Sequence, residues 1–311
     1  MPDPVVAVGP LWAPAGAILL GALALAAAGL DGAFAARRPG PGAAAGLLVP
    51  LTETARLLRQ RRRVTVAADL PLWRIGAGGL LVAALLVAAV VPLGRWVLAD
   101  LSVGVVWFTA VDVAVWAFVW LAGWGPNAVH PLVGGYRFLA QALAYELPLM
   151  FALTAPALAA GSLRVGEVAA AQHGLWFVVG MPVAFAVYCV GVVGFSVWGP
   201  LSPAVGADIA GGVLAEASGI DRWLLLAGRY ALLAAGAVFA VPLFLGGGAG
   251  PLLPGAVWVP VKALLLLAVL VWLRRHVPVL RPDRFVEAGW LVLLPAALLQ
   301  LLVVAVVVVN R

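Results

Sequence analysis

Long apolar runs, broken by charges, prolines or glycines, follow one another along the chain. They fall at about 11–30, 75–94, 103–123, 139–160, 175–198, 223–245, 256–273 and 286–309. Each is near the ~20 residues with which an α-helix crosses a hydrocarbon core. Backbone in lipid must satisfy its own hydrogen bonds, which a helix does. The pattern therefore predicts an all-α integral membrane protein of about eight transmembrane helices, a single polytopic domain over 1–311. The longest connection is 31–74; others are 199–222 and 274–285. Within the first, Leu47, Leu48, Leu51, Ala55 and Leu58 share a stripe from which Thr52, Glu53, Arg56 and Arg59 are excluded. That spacing, followed by Arg61, Arg62 and Arg63, predicts an amphipathic helix lying in the interface.

Composition agrees. Asp, Glu, Lys and Arg make up 10% of the 311 residues, against roughly a quarter in a soluble domain, and mean hydropathy is +1.11. Little length is left for a water-soluble catalytic unit. Cys189 is the only cysteine, and His130, His173 and His276 lack helical partners at i+3 or i+4. No intrachain disulfide, cysteine-held cluster or obvious metal site follows. The glycine-rich pieces 76–79 and 246–250 lack the Lys and Ser of a phosphate loop and read as hinges or turns.

Charge sets an orientation. The first 36 residues hold no Lys or Arg, so the opening helix lacks the basic region of a signal peptide and is expected to be retained. Arginines cluster at 37, 38, 56, 59, 61, 62, 63 and 74, and again at 274, 275, 281 and 284. Both clusters lie in odd-to-even connections. The positive-inside rule puts these loops in the cytoplasm and both termini on the outer face of a cell membrane. The net charge of +6 needs no nucleic-acid partner.

A few ionisable residues fall inside the apolar windows or at their ends: Asp112, Glu146, Lys262, Arg137 and Arg229. Charges at membrane depth often mark an ion or proton pathway. The first three, on different helices, are candidates for a buried polar track; the alternative is a static Asp–Lys or Glu–Arg pair that locks the packing.

Several motifs then carry a resemblance. ADLSVG (99–104), GWGPNAV (123–129) and GGYRFLAQALAYELPL (134–149) occur in order, with Gly135, Arg137, Gln141, Tyr145, Glu146 and Pro148 at fixed spacing. GSLRVGEVAAAQ (161–172), FLGG (244–247), Lys262 and VWLRRHVPVLRPDRFVEAGWLVLLP (271–295) follow, and LLVPLTETARLL (47–58) precedes them. Together they resemble the subunit 1 (H-type) family of respiratory complex I, the NADH-quinone oxidoreductase, from about residue 37 to 300. The resemblance implies eight transmembrane helices and the heel of a membrane arm. Such a subunit docks the redox arm, helps form the quinone chamber and begins the charge track that couples quinone reduction to proton translocation. It implies quinone as substrate of the whole enzyme, with no redox centre in this chain and iron–sulfur clusters and flavin in partner subunits. Carried over residue by residue, it marks Glu146, Lys262, Arg137, Asp208 and Glu216 as proton-coupling candidates, to which mid-span Asp112 is added. Glu53, Arg56, Arg274, Arg281 and Asp283 are candidates for the chamber and the redox-arm interface.

The chain departs from the family pattern where relatives carry an acidic loop after the fifth helix. VGFSVWGPLSPAVGADIAGGVLAEASG (193–219) has Gly194, Val197, Leu201, Ala204 and Gly206 at positions that hold ionisable residues in the family, and Arg229–Tyr230 in place of a glutamate–tyrosine pair. A divergent paralogue in a complex I-like assembly is the leading expectation. The anchor subunit of an energy-converting hydrogenase is the nearest alternative, and an autonomous ion transporter a remote one, since no inverted repeat is visible.

Overall fold

The computed structural model describes residues 5–36 and 42–310. Arg37 and Arg38 of the first basic cluster lie outside them. In chain order the helices are α1 (Ala13–Ala35), α2 (Ala43–Arg59), α3 (Leu70–Ala89), α4 (Gly104–Trp124), α5 (Val129–Ala160), α6 (Val165–Ala170), α7 (Phe177–Gly180), α8 (Pro182–Phe195), α9 (Gly219–Phe244), α10 (Gly255–His276), α11 (Pro282–Ala288) and α12 (Leu294–Val309). A π-helical turn, Gly289–Leu293, joins the last two into one apolar rod. Among the described residues, seven helices are long and apolar enough to cross a membrane, and α8 is a shorter apolar one. The protein is thus an all-α multi-span membrane protein.

The fifth predicted span differs from the others. Its helix breaks at Met181 (φ −138°, ψ 60°) into α7 and α8. Pro182 explains the break: it lacks an N–H and disfavours helical backbone at the residue before it. The fourth span begins at Val129, ten residues before the apolar window. His130 and Arg137 had masked a turn-rich start that is helical nonetheless. The second ends at Ala89, and residues 96–97 (β2) instead form a short parallel pair with Val6–Ala7 (β1).

Successive connections alternate between two ends of the bundle. Gly94 lies against Gly255 and Ala256, and Gly166 against Val5, at one end; Gly199 lies against Arg274, Gly219 against Gln60 and Gly125 against Trp73 at the other. The first is the terminus side and the second, which carries the loops of arginines, the arginine side. At the centre stands α9, with 78% of its apolar window buried, against 11% for the last rod. Phe108, Tyr188, Phe195 and Phe239 pack around it, Phe108 stacking on Phe239 at 4.3 Å, and Tyr188 donates to the Gly236 carbonyl at 2.7 Å.

Without a hydrophobic force between helices in lipid, close backbone approach does the packing. Gly76 and Gly79, read from sequence as part of a hinge or turn, are instead in the middle of α3 where it meets α4. A Cβ at Gly76 would lie 2.7 Å from the Phe118 carbonyl oxygen and closer still to the Ala122 nitrogen. Gly76→Leu is therefore expected to force α3 and α4 apart and cost at least ~2 kcal/mol. A thermal melt of the detergent-solubilised protein should show a lowered midpoint.

α2 is the predicted amphipathic helix, but the stripe does not face the protein. Gly46 and Leu57 are buried and Glu53 half-buried against α1 and α9, while Leu47, Leu48, Leu51 and Leu58 are exposed. An apolar stripe turned outward beside a bundle suits contact with lipid. Its far end is tied to the start of α9: the Arg63 amide donates to Ser218 Oγ at 2.7 Å, and Arg62 approaches Asp221 at 3.4 Å.

Candidate functional site

A cavity of about 770 Å³ opens between α1, α2, α3 and α9 on the arginine side of the bundle. Small residues make the room: Ala17, Gly21, Ala24 and Ala28 on α1 and Ala227 and Ala231 on α9. Most of its wall is apolar, and its few polar groups are Asp31, Glu53, Thr54, Tyr230 and Arg275. A mostly apolar pocket with a few convergent polar groups is the usual form of a ligand site.

Asp31, which carries no motif in the sequence, organises the inner end of that cavity. It lies on the last turns of α1 and is buried. Its carboxylate accepts from Arg274 and Arg275, each at 2.6 Å, and from the Tyr230 hydroxyl at 3.2 Å; Arg275 also donates to the Asp31 carbonyl at 2.8 Å. Three elements, α1, α9 and α10, are joined through this one carboxylate. Arg229 is buried behind it and donates to the Val197 carbonyl. Arg274 also lies over the Trp198 ring, 4.5 Å from its centre. Arg274, expected on an outward docking face, is thus turned inward. Arg281 and Asp283 do lie exposed, paired at 3.2 Å.

Two carboxyl groups meet at membrane depth. Asp112 of α4 and Glu146 of α5 are both buried and near enough to act on each other electrostatically; their carboxyl oxygens make no hydrogen bond, and no Lys or Arg among the described residues pairs with either. The static Asp–Lys or Glu–Arg pair weighed from sequence does not form. Two neighbouring carboxyls are one titrating unit that can carry one proton or two. Tyr145 is buried beside them, and the half-buried Trp116 keeps its indole nitrogen inside.

Lys262 does not join this track. Its ammonium sits at the terminus side and donates to the carbonyls of Leu245 (2.6 Å), Gly247 (2.9 Å) and Ala249 (2.7 Å), with Trp176 4.1 Å from the nitrogen to ring centre. All three donors are used, and the charge sits on the C-cap carbonyl of α9 and two carbonyls of the turn that follows. The 246–250 glycines do form a turn, with Gly246 and Gly247 at φ +69° and +54°.

The loop after α8 is folded onto α5. Gln141 donates to the carbonyls of Gly194 (3.2 Å) and Leu201 (3.1 Å), and Arg137 pairs with Asp208 at 2.6 Å. The guanidinium bonded to Asp208 holds its carboxyl below the usual carboxylate range. Val197, Leu201 and Ala204, which the resemblance set against ionisable positions, are packed inside, while Ala207 and Asp208 are exposed. Glu216 is half-buried in the same loop and makes no ion pair among the described residues. On α2, Arg56 binds Glu53 at 2.7 and 2.5 Å and likewise holds that carboxyl low. Among the described residues no group of three or more His, Cys, Asp or Glu could hold a metal ion.

A helical bundle with seven membrane-length helices among the described residues, a mostly apolar cavity, a buried acid pair and an arginine-rich end is a polytopic membrane protein. The sequence pattern of the NADH dehydrogenase family matches residues 18–305. The H-type subunit 2 of NADH-quinone oxidoreductase from Geobacter sulfurreducens is 36% identical over 270 residues, covering 83% of this chain and 82% of the relative. Its counterparts, also numbered 2, from Cereibacter sphaeroides (37% over 273 residues, 86% and 85%) and Syntrophobacter fumaroxidans (34% over 306 residues, 92% of each) are similar. The chain belongs to the NADH dehydrogenase family, with the H-type subunits of NADH-quinone oxidoreductase as its relatives, and the resemblance carried by its motifs is borne out.

Proposed function

We propose that this chain is the heel subunit of the membrane arm of a complex I-like oxidoreductase, fed by NADH or another donor. It gives quinone a passage from the bilayer and couples quinone reduction to proton translocation. The cavity between α1, α2, α3 and α9 is the observation that carries the reading. Its apolar walls suit an isoprenoid tail, and its inner end offers the Tyr230 oxygen as an acceptor and the remaining N–H groups of Arg275 as donors where a headgroup must pass toward the redox arm. The exposed stripe of α2 sets the mouth of this passage at the membrane interface. The arginine side faces the cytoplasm of a cell membrane, by the positive-inside rule, and presents Arg281 and Asp283 to the peripheral subunits that hold flavin and iron–sulfur clusters.

Proton coupling rests on the acid pair. Asp112 and Glu146 form the unit that takes up and releases protons; Arg137, Asp208 and Glu216 shape the loop below it, and Lys262 holds the opposite end in register. Because Leu201, Ala204 and Val197 fill the buried part of that loop with apolar side chains, protons reach the pair by a route other than the loop itself.

Ala24→Trp tests the passage. An indole on α1 fills part of the cavity without touching the Asp31 cluster. The kcat/KM for quinone of the assembled enzyme should fall at least ten-fold, about 1.4 kcal/mol of barrier, with reduction of a water-soluble artificial acceptor unchanged. Unaltered quinone kinetics would remove the cavity from the reaction. Purification of the tagged chain from its native membrane should bring down iron–sulfur and antiporter-like subunits; recovery alone would contradict the assignment.

A further inference from the structure

At the terminus side, away from the quinone passage, two further cavities adjoin. One, of about 500 Å³, is a crevice between the N-terminal half of α1 and the end of α3, walled by apolar side chains such as Ala15, Leu19 and Ala88 and closed above by Trp12 and Trp96. The other, of about 510 Å³, lies beside it and includes Arg95, His173 and the glycine turn 246–248. Leu93, Trp96 and Ala256 line both, so the two are neighbours that share a wall.

Their chemistry differs in one direction. The crevice has the size of a small-molecule pocket and no charged side chain in its wall. Two tryptophans at its mouth are the residues that settle at headgroup depth. The polar pocket has no acidic side chain in its lining. Arg95 is exposed, with its guanidinium 5.3 Å from the Trp96 ring centre, and no carboxylate among the described residues neutralises it. His173 is exposed on the same wall. Gln172 is not free to bind anything, since its carboxamide already serves Val168, Pro242, Phe177 and Gly246. Behind the turn lies the Lys262 ammonium, whose charge adds to the positive potential of the pocket.

We propose that these two cavities bind one anionic phospholipid, with an acyl chain in the α1–α3 crevice and its phosphate at Arg95 beside His173. An apolar slot ending in an unneutralised cation at headgroup depth complements such a lipid in both shape and charge. A quinone has no anionic group for Arg95, and a transmembrane helix from another subunit would leave the polar pocket unused. The lipid would fasten β1, α1 and the Gly94–Trp96 turn together, and so brace from outside the helix whose other end forms the quinone passage.

The test uses the complete assembly purified from its native membrane and exchanged into nanodiscs of equal phosphatidylglycerol and phosphatidylcholine. Mass spectrometry of retained lipid should show phosphatidylglycerol preferred by about five-fold, the scale of one basic side chain at an anionic surface. Arg95→Gln should bring that preference near parity, and Ala15→Trp should lower retention of both lipids. Equal retention of the two lipids by the wild type, or an unchanged preference in Arg95→Gln, would overturn the proposal. Should a variant fail to assemble, photoreactive phosphatidylglycerol on the wild-type enzyme decides: labelling of the peptides that contain Trp12 and Trp96 supports the site, and labelling confined elsewhere refutes it. Quinone turnover by the same samples keeps this result separate from that of the passage.

Discussion

Glu146→Gln is expected to reduce proton translocation per electron pair to below about a tenth while the enzyme still assembles and still passes electrons to an artificial acceptor. The expected selectivity follows from geometry. Glu146 meets Asp112 across the α4–α5 contact, both carboxyls are buried, and no basic side chain among the described residues pairs with either. An amide at 146 has nearly the same shape and can donate to Asp112, so the packing of α4 on α5 survives. What disappears is the second titrating group, and with it the ability of the pair to hold two protons. Proton uptake by vesicles carrying the variant enzyme, measured beside NADH oxidation, reads the ratio directly. Unchanged pumping would make the pair a packing feature.

The second large effect belongs to stability. Asp31→Ala should lower the stability of the chain by about 3 kcal/mol, the low end for breaking a buried ion pair, because Arg274 and Arg275 are each about a third exposed and water recovers part of the loss. One carboxylate satisfies two guanidiniums and the Tyr230 hydroxyl, so its removal leaves three donors on two helices without their acceptor, with Arg229 close by adding to the repulsion. The midpoint of thermal unfolding in detergent should fall sharply. The double variant Asp31→Ala, Arg275→Ala should recover part of the loss, since the partners are coupled. Strict additivity of the two single changes would show that the cluster is not a unit.

Much of the fold could be read in the sequence, because a crossing helix needs only about 20 apolar residues and its neighbours matter little to whether it forms. What the sequence hid was interruption within helices and rotation about them. The break at Met181 needed Pro182 to be weighed against an otherwise unbroken apolar run, and Gly76–Gly79, which reads as a turn, is a packing surface because α4 lies against it. For the site, Glu146 stood out through its motif. Its partner did not: that Asp112 faces Glu146, and Lys262 faces away, depends on the depth and rotation of three helices. Asp31 stood in no motif at all. Yet an acid closing the first span and an arginine pair closing the seventh fall at the same end of an alternating bundle, so their pairing was available from topology alone.

The altered loop after α8 shows the same limit. The sequence registers that acids are missing from 193–219, but the structure shows what fills their place: Val197, Leu201 and Ala204 are packed into the bundle, and Arg137 and Gln141 tie the loop to α5. Packing fills the place of charge there, which is why the proposed proton coupling is assigned to the Asp112–Glu146 pair.

Everything proposed for the quinone rests on its travelling through the cavity between α1, α2, α3 and α9. Photoaffinity labelling of the native enzyme with a light-activated quinone analogue, followed by peptide mapping, examines that passage without any substitution. Label is expected on residues 17–36, 45–57, 81–85 and 223–231, suppressed by excess quinone. Competable label confined to other parts of this chain or to other subunits would contradict it.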